Sequence, residues 1–147
     1  MRVFLDTNVL LDVLAAREPH FEAAARVWTL AEEGRLEGLV SPLSFSNIYY
    51  IASKSAGRAQ ARRMLRSLQG VFRVATCDDQ IVRQAVDAEW DDFEDAVQYF
   101  SAVHAKADCL VSRNADHFAD SEIPVLSPAE FLATQALEEE GSSTGPQ

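Results

Sequence analysis

The sequence predicts an α/β fold with a mostly parallel central sheet of about four to five strands flanked by helices. Three observations carry that expectation. Short apolar runs alternate along the chain with longer stretches of 3.6-residue periodicity. No two neighbouring strand candidates are joined by a hairpin-type turn, so each connection is a right-handed crossover. The chain also opens on Met1-Arg2-Val3-Phe4-Leu5-Asp6-Thr7-Asn8, an apolar run that delivers a carboxylate and two small polar residues before helical periodicity begins. In an open α/β sheet the crevice beyond the strands' carboxyl ends is where ligands bind.

Taken in order, Arg2 to Leu5 reads as a strand and Asn8 to Leu14 as a short helix, stopped near Arg17-Glu18-Pro19 because proline disfavours helix in its predecessor. His20 to Glu33 is a second helix with Phe21, Ala24, Val27, Trp28 and Ala31 on one face, and Gly34 ends it. Leu36 to Val40 is a strand. Ser41 and Pro42 open a third helix carrying Phe45, Ile48, Tyr49 and Ala52, and Gly57 divides it from a fourth, Arg58 to about Leu68. Val71 to Ala75 is the next strand candidate. Asp78 caps a helix from Asp79 to about Ala88, and Asp91-Asp92-Phe93-Glu94-Asp95 opens another that buries Phe93, Val97, Phe100, Ala102 and Val103. Cys109 to Val111 and Ile123 to Leu126 complete the strands, and Pro128 starts a last helix ending near Leu137.

A chain of 147 residues, 48% hydrophobic, buries one substantial core without disulfides or a structural metal. The expected domain spans residues 1–137, followed by a disordered acidic and polar tail, 138–147, too polar to bury. The formal charge of −10 argues against nonspecific binding to polyanions, although a local basic patch overrides a net charge. Cys77 and Cys109 form no C-x-x-C pair and suit reduced thiols in a cytoplasmic protein. Asp6, Asn8 and Asp12 interrupt the opening apolar stretch, which therefore lacks the pattern of a secretory signal. No apolar run approaches the length of a membrane span.

The acids suggest where chemistry resides. In the second cluster, Asp91 and Asp92 are accounted for by the macrodipole and free N–H groups of a helix start. Asp95 sits on the helix proper, three residues after Asp92 and three before Gln98, beside core-facing positions. A carboxylate there costs stability unless it is paired or binds a metal. A third element, Leu110-Val111-Ser112-Arg113-Asn114-Ala115-Asp116, again ends an apolar strand in small polar and acidic residues. In isolation Asn114 and Asp116 are ordinary turn formers. Convergence of two strand ends and one helix start would gather hard oxygen ligands, which select Mg²⁺ or Mn²⁺ over zinc.

Four phrases in order, Phe4-Leu5-Asp6-Thr7-Asn8, Ser44-Phe45-Ser46-Asn47-Ile48-Tyr49-Tyr50-Ile51, Asp92-Phe93-Glu94-Asp95-Ala96-Val97-Gln98 and Val111-Ser112-Arg113-Asn114, resemble a PIN-domain protein from Met1 to about Leu132. Within that family the chain is similar to the compact VapC-like toxins of bacterial type II toxin–antitoxin pairs. The resemblance implies a PIN-like fold and a Mg²⁺- or Mn²⁺-dependent endoribonuclease, with an RNA substrate, a small cognate antitoxin and a homodimeric state. Asp6 matches the first metal-binding acid and Asp95 the acid at the start of the long helix, with Asp92 and Glu94 as neighbours. Thr7 and Asn8 match the polar pair supporting the first acid, and Ser112 the small hydroxyl residue before the last polar position; these three and Arg113 are the candidates for contact with substrate. Where many members carry a glutamate on the third helix, this chain has Asn47; where many carry an aspartate after the last strand, it has Asn114. The catalytic set implied is therefore Asp6, Asp95, Asn47 and Asn114, and the metal set Asp6, Asp95 and Asp92, with Asp116 supplying the missing acid through a shifted register.

Other residues divide between readings. From Lys54 through Arg73 there are six cations and no acid, with Arg58, Arg62 and Arg66 on one helical face; the stripe is either a solvated face that anchors an acidic partner or a phosphate-backbone surface. Arg113 either meets a substrate phosphate or pairs with the acidic cluster. Tyr49, Tyr50, Trp28 and Phe45 read as core or interface aromatics, and Tyr49, Tyr50 and Met64 supply the apolar surface of the expected dimer. His20 and His104 resemble no catalytic pairing, whereas His117 approaches the site. Two readings compete with the nuclease: a binding module that has lost cleavage through Asn47 and Asn114, and a haloacid-dehalogenase-type phosphatase. The latter wants a second acid two residues after the first, where this chain has Asn8.

Overall fold

A computed structural model describes residues 1–118 and 120–143. Its five strands are all parallel. At the centre runs β1 (Arg2–Leu5), flanked on one side by β2 (Glu37–Val40) and β3 (Arg73–Val74), and on the other by β4 (Cys109–Val111) and β5 (Val125–Leu126). The connecting helices are α1 (Thr7–Leu14), α2 (Phe21–Glu32), α3 (Pro42–Ala56), α4 (Arg58–Val71), α5 (Asp79–Ala88), α6 (Phe93–His104) and α7 (Pro128–Ser143), with a short 3-10 turn at Ala115–Phe118.

Side chains alternate along the strands, and both faces are covered, as a parallel sheet requires. Val3, Leu5, Val40, Cys109 and Val111 join the core with Val9, Val27, Trp28, Ile48 and Phe131. Phe4, Leu39 and Leu110 point the other way, to Tyr99, Ala102 and Phe118. Gly38 in β2 is required by close packing: a Cβ there would lie 2.3 Å from Phe72 Cδ1, whose ring meets Trp28 edge-on with centroids 4.9 Å apart.

Caps fix the helix starts. Ser41 Oγ accepts from Leu43 N–H ahead of Pro42, Asp78 accepts from Ile81 N–H, and Asp92 Oδ1 accepts from Asp95 N–H. Gly57, at φ 87°, turns α3 into α4 in a conformation costly for other residues.

Some sequence expectations need correction. Val71 belongs to α4, and β3 shortens to the two residues that pair with Leu39 and Val40. β5 likewise starts at Val125, where pairing with β4 starts. Helix α7 continues past Leu137 to Ser143, tied back by an ion pair between Glu139 and Arg35, so residues 138–143 do not form the expected disordered tail; residues 144–147 lie outside the described residues. Phe93 begins α6 exposed, not buried. Cys77 and Cys109 are free, Cys109 buried and Cys77 half-buried. No helix among the described residues is long and apolar enough to cross a membrane.

The strand order decides where a site can form. The chain lays β2 and β3 to one side of β1 and then crosses to place β4 on the other. The connections leaving the carboxyl ends of β1 and β4 diverge, opening a crevice between adjacent strands.

Candidate active site

Asp6 leaves β1 at that switch point, its backbone N–H bonded to Val111 O at 2.9 Å. It is the N-cap residue of α1, but its carboxylate makes no capping bond. Instead Oδ1 accepts from Gln98 Nε2 at 3.0 Å and Oδ2 from Ser112 Oγ at 2.7 Å. A capping carboxylate is worth about 1 kcal/mol. Here that contribution is replaced by two bonds that aim the group into the crevice, where Asp6 is only 3% exposed.

Gln98, fully buried on α6, also accepts from Thr7 N–H through Oε1 at 3.2 Å. The two bonds set its amide orientation, because a flipped amide would put its oxygen against the Asp6 carboxylate. Thr7 Oγ1 donates to Glu94 Oε1 at 2.8 Å and lies 2.6 Å from Ser44 Oγ, tying α1 to α3 and α6.

Asp95 reaches the same hollow from the first turn of α6. Burial, then the charges of Asp6 and Asp92, push its carboxyl up to about 6, against the lowering effect of a 3.1 Å hydrogen bond with His117 Nδ1. Two carboxylates that repel each other in a buried crevice are stabilised by a cation placed between them.

The hollow, about 320 Å³, is lined by Asp6, Thr7, Asn8, Asn47, Asp92, Glu94, Asp95 and Asn114, with Arg17, Tyr50 and Ile51 at its side. Its donors are carboxylate, amide and hydroxyl oxygens. One or two carboxylates with neutral oxygen neighbours suit a hard divalent cation that keeps part of its water shell, as Mg²⁺ does. Among the described residues no three His, Cys, Asp or Glu side chains converge as a ready-made cage, so amides and water would complete the coordination.

Most of the residues singled out from sequence thus come together, with two corrections. Asp116 does not line this hollow; it lies with Trp90, Asp91, Asp92, His117 and Asp120 around a neighbouring one of about 430 Å³. The 3-10 turn sends it there, and His117 is the residue from that turn which meets Asp95. Arg113 is drawn away from the hollow by Asp12, a fully buried carboxylate on α1: Nε lies 2.6 Å from Oδ2, and Nη2 donates to Oδ1 at 3.3 Å. Asp92 lines both hollows, but one of its oxygens caps α6. Ser112 is fully buried behind Asp6 and supports it.

Sequence reasoning missed Gln98 and Ser44 as site residues. A signal existed for both: each is polar on an apolar helix face, Gln98 three residues after Asp95 and Ser44 three before Asn47. Asp12 carried the same kind of signal, a carboxylate among Val9, Leu10, Leu11 and Val13, but nothing in the sequence pointed to Arg113 as its partner.

The family model of the PIN domain matches residues 2–116. The chain belongs to the PIN-domain family. This PIN domain shares its fold with solved toxin–antitoxin proteins. The DNA-bound VapBC of Salmonella typhimurium matches with TM-score 0.69 at 17% identity, covering 87% of this chain and 98% of that one. VapBC-1 of nontypeable Haemophilus influenzae matches at 0.67 and 18%, covering 88% and 99%. Mycobacterium tuberculosis VapC20, a toxin that cleaves the sarcin–ricin loop, matches at 0.66 and 17%, covering 80% and 93%. No curated protein matches the sequence of this PIN domain.

Proposed function

We propose that this PIN domain is a Mg²⁺- or Mn²⁺-dependent endoribonuclease and the toxin half of a type II toxin–antitoxin pair. One observation carries the reading: Asp6 and Asp95, 89 positions apart in the chain, face one open hollow, rich in oxygen ligands, at the switch point of the sheet. The family and the solved structures sharing the fold support it, VapC20 as a toxin that cleaves the sarcin–ricin loop and a toxin–antitoxin complex from Klebsiella pneumoniae through its two components.

Asp6 and Asp95 would hold the cation, with Asp92, Asn47 and Asn114 near enough to add oxygens. When bound, the ion lowers the pKa of water at the site and offsets charge on the scissile phosphate. Gln98 and Ser112 hold the Asp6 carboxylate in one orientation, and His117 does the same for Asp95. Asn8, half-exposed on the hollow, is free to donate from its amide to a phosphate oxygen. The homodimer expectation narrows to Tyr50 and Ile51, which are exposed beside the hollow, whereas Met64 is half-buried in a groove with Trp28. A mass near 32 kDa in light scattering, about twice the 16.2 kDa chain, is the expected result.

A second reading, a PIN-fold module that binds RNA or protein without cutting, is favoured by the neutral amides of Asn47 and Asn114 in the hollow and by the position of Asp116 outside it. One assay separates the two. Parent, Asp95→Asn and Asn47→Glu proteins are incubated with structured RNAs in Mg²⁺ or Mn²⁺, with EDTA exposing any contaminating nuclease. Metal-dependent cleavage by the parent, lost in Asp95→Asn and increased in Asn47→Glu, is expected. Absence of cleavage in both parent and Asn47→Glu favours the binding module, and cleavage persisting in Asp95→Asn removes the assigned site.

A further inference from the structure

The charge of this chain is divided very unevenly. Residues 38–77 contain six of its 13 lysines and arginines and none of its 23 acids. Those residues include the α3–α4 hairpin, and among the described residues Lys54, Arg58, Arg62, Arg63 and Arg66 pair with no acid; only Arg73 does, with Glu37.

The arrangement is linear. Arg58, Arg62 and Arg66 are exposed on successive turns of α4, about 6 Å apart along its axis. Ala61 and Leu68 face the core, and Gln60, Met64, Ser67 and Val71 turn to the groove with Trp28. The arginine flank therefore adjoins α3, where the Arg62 guanidinium lies 6.0 Å from the centre of the Tyr49 ring. Lys54 extends the line: its ammonium is 4.0 Å from the centre of the Tyr50 ring, and Tyr50 lines the carboxylate hollow. The cations thus begin at Lys54, one turn past the hollow-lining Tyr50, round the Gly57 turn to Arg58, and return along α4 beside α3.

Like charges at i and i+4 destabilise a helix, so the row is a cost to the free protein that an anion removes. On the flank that carries Arg58, Arg62 and Arg66, α4 exposes no large apolar side chain, so this flank suits a polyanion, whereas an amphipathic protein segment would sit on the groove with Trp28, Met64 and Val71. We propose that Lys54, Arg58, Arg62 and Arg66 hold successive backbone phosphates of the RNA strand leaving the carboxylate hollow. The proposal rests on the nuclease reading for the identity of the polyanion. Such contacts position a strand and carry no sequence preference.

The test measures binding without turnover. A fluorescein-labelled single-stranded RNA is titrated in EDTA with Asp95→Asn protein, alone or with Arg58→Gln, Arg62→Gln and Arg66→Gln, over about 50 to 200 mM salt. A control carries Arg26→Gln, Arg35→Gln and Arg83→Gln, the same change in net charge elsewhere. Losing three phosphate contacts should weaken binding at least about tenfold at low salt and reduce the slope of log K against log salt by about 2, while the control keeps the parent slope. An unchanged slope in the α4 variant overturns the proposal, as does an equal loss in the control. So does retained RNA binding with loss of binding to polyglutamate, which would assign the row to an acidic protein. Because no cleavage is involved, this outcome is independent of whether the parent proves to be a nuclease.

Discussion

Gln98 donates from Nε2 to Asp6 Oδ1 at 3.0 Å while accepting the Thr7 N–H on the other side of the same amide. One fully buried side chain from α6 therefore fixes both the carboxylate at the end of β1 and the first turn of α1. Gln98→Leu leaves a buried N–H unpaired and frees the carboxylate to rotate. A loss of about 2–3 kcal/mol in urea unfolding is expected, with weaker Mn²⁺ binding in calorimetry. Gln98→Asn, one methylene shorter, should lose metal affinity as well if reach matters and not polarity alone.

Arg113 serves the fold through Asp12. The pair is buried on the Asp12 side, and removing one partner strands a charge. Arg113→Gln should cost about 3 kcal/mol in stability while leaving the affinity of the folded protein for RNA at the parent value. Asp12→Leu combined with Arg113→Met should recover most of the stability. A variant that keeps its unfolding midpoint but loses RNA affinity would return Arg113 to the substrate surface.

Asp95 makes the metal-free protein sensitive to pH. Its carboxyl stands at about 6 in the fold against 3.8 ordinarily, so the folded state holds the proton more tightly. Stability from that proton is fully present below about pH 4 and is lost as pH rises through about 6. Asp95→Asn should therefore stabilise the metal-free protein at pH 7.5 by on the order of 2 kcal/mol, and the gain should vanish toward pH 4. Saturating Mn²⁺ reverses the ranking at pH 7.5 by stabilising the parent alone, and Asp6→Asn should abolish that effect. Melting temperatures across pH, with and without Mn²⁺, check all three statements.

Gly38→Ala drives a methyl against the Phe72 ring, which is held edge-on by Trp28. Overpacking here should cost about 2–3 kcal/mol. Adding Phe72→Leu should recover part of it by making room, so the double variant melting below Gly38→Ala would count against steric conflict as the cause.

The order of strands and helices was legible because each element declares itself locally. β1 is an uninterrupted apolar run, Ser41-Pro42, Asp78 and Asp92 are caps, and Gly57 breaks a helix, all readable within a few residues. Asp6 and Asp95 were legible for a related reason, since a carboxylate at a strand end or among core-facing positions conflicts with its neighbours. The ends of β3, β5 and α7 were not. Pairing with β2 and β4 sets the first two, and the third lies on a helix packed against α2, distant in the chain, where Glu139 also meets Arg35.

The sequence by itself determined the element order, the parallel sheet and the identity of the two acids at its centre, since these follow from periodicity and local conflict. Only the tertiary structure decided their partners: Gln98 and Ser112 on Asp6, His117 on Asp95, Asp12 on Arg113, and Asp116 in a different hollow. Hydrogen bonds and ion pairs act over about 3 Å, a proximity that residues 92 or 101 positions apart acquire only when β1, β4 and α6 pack together.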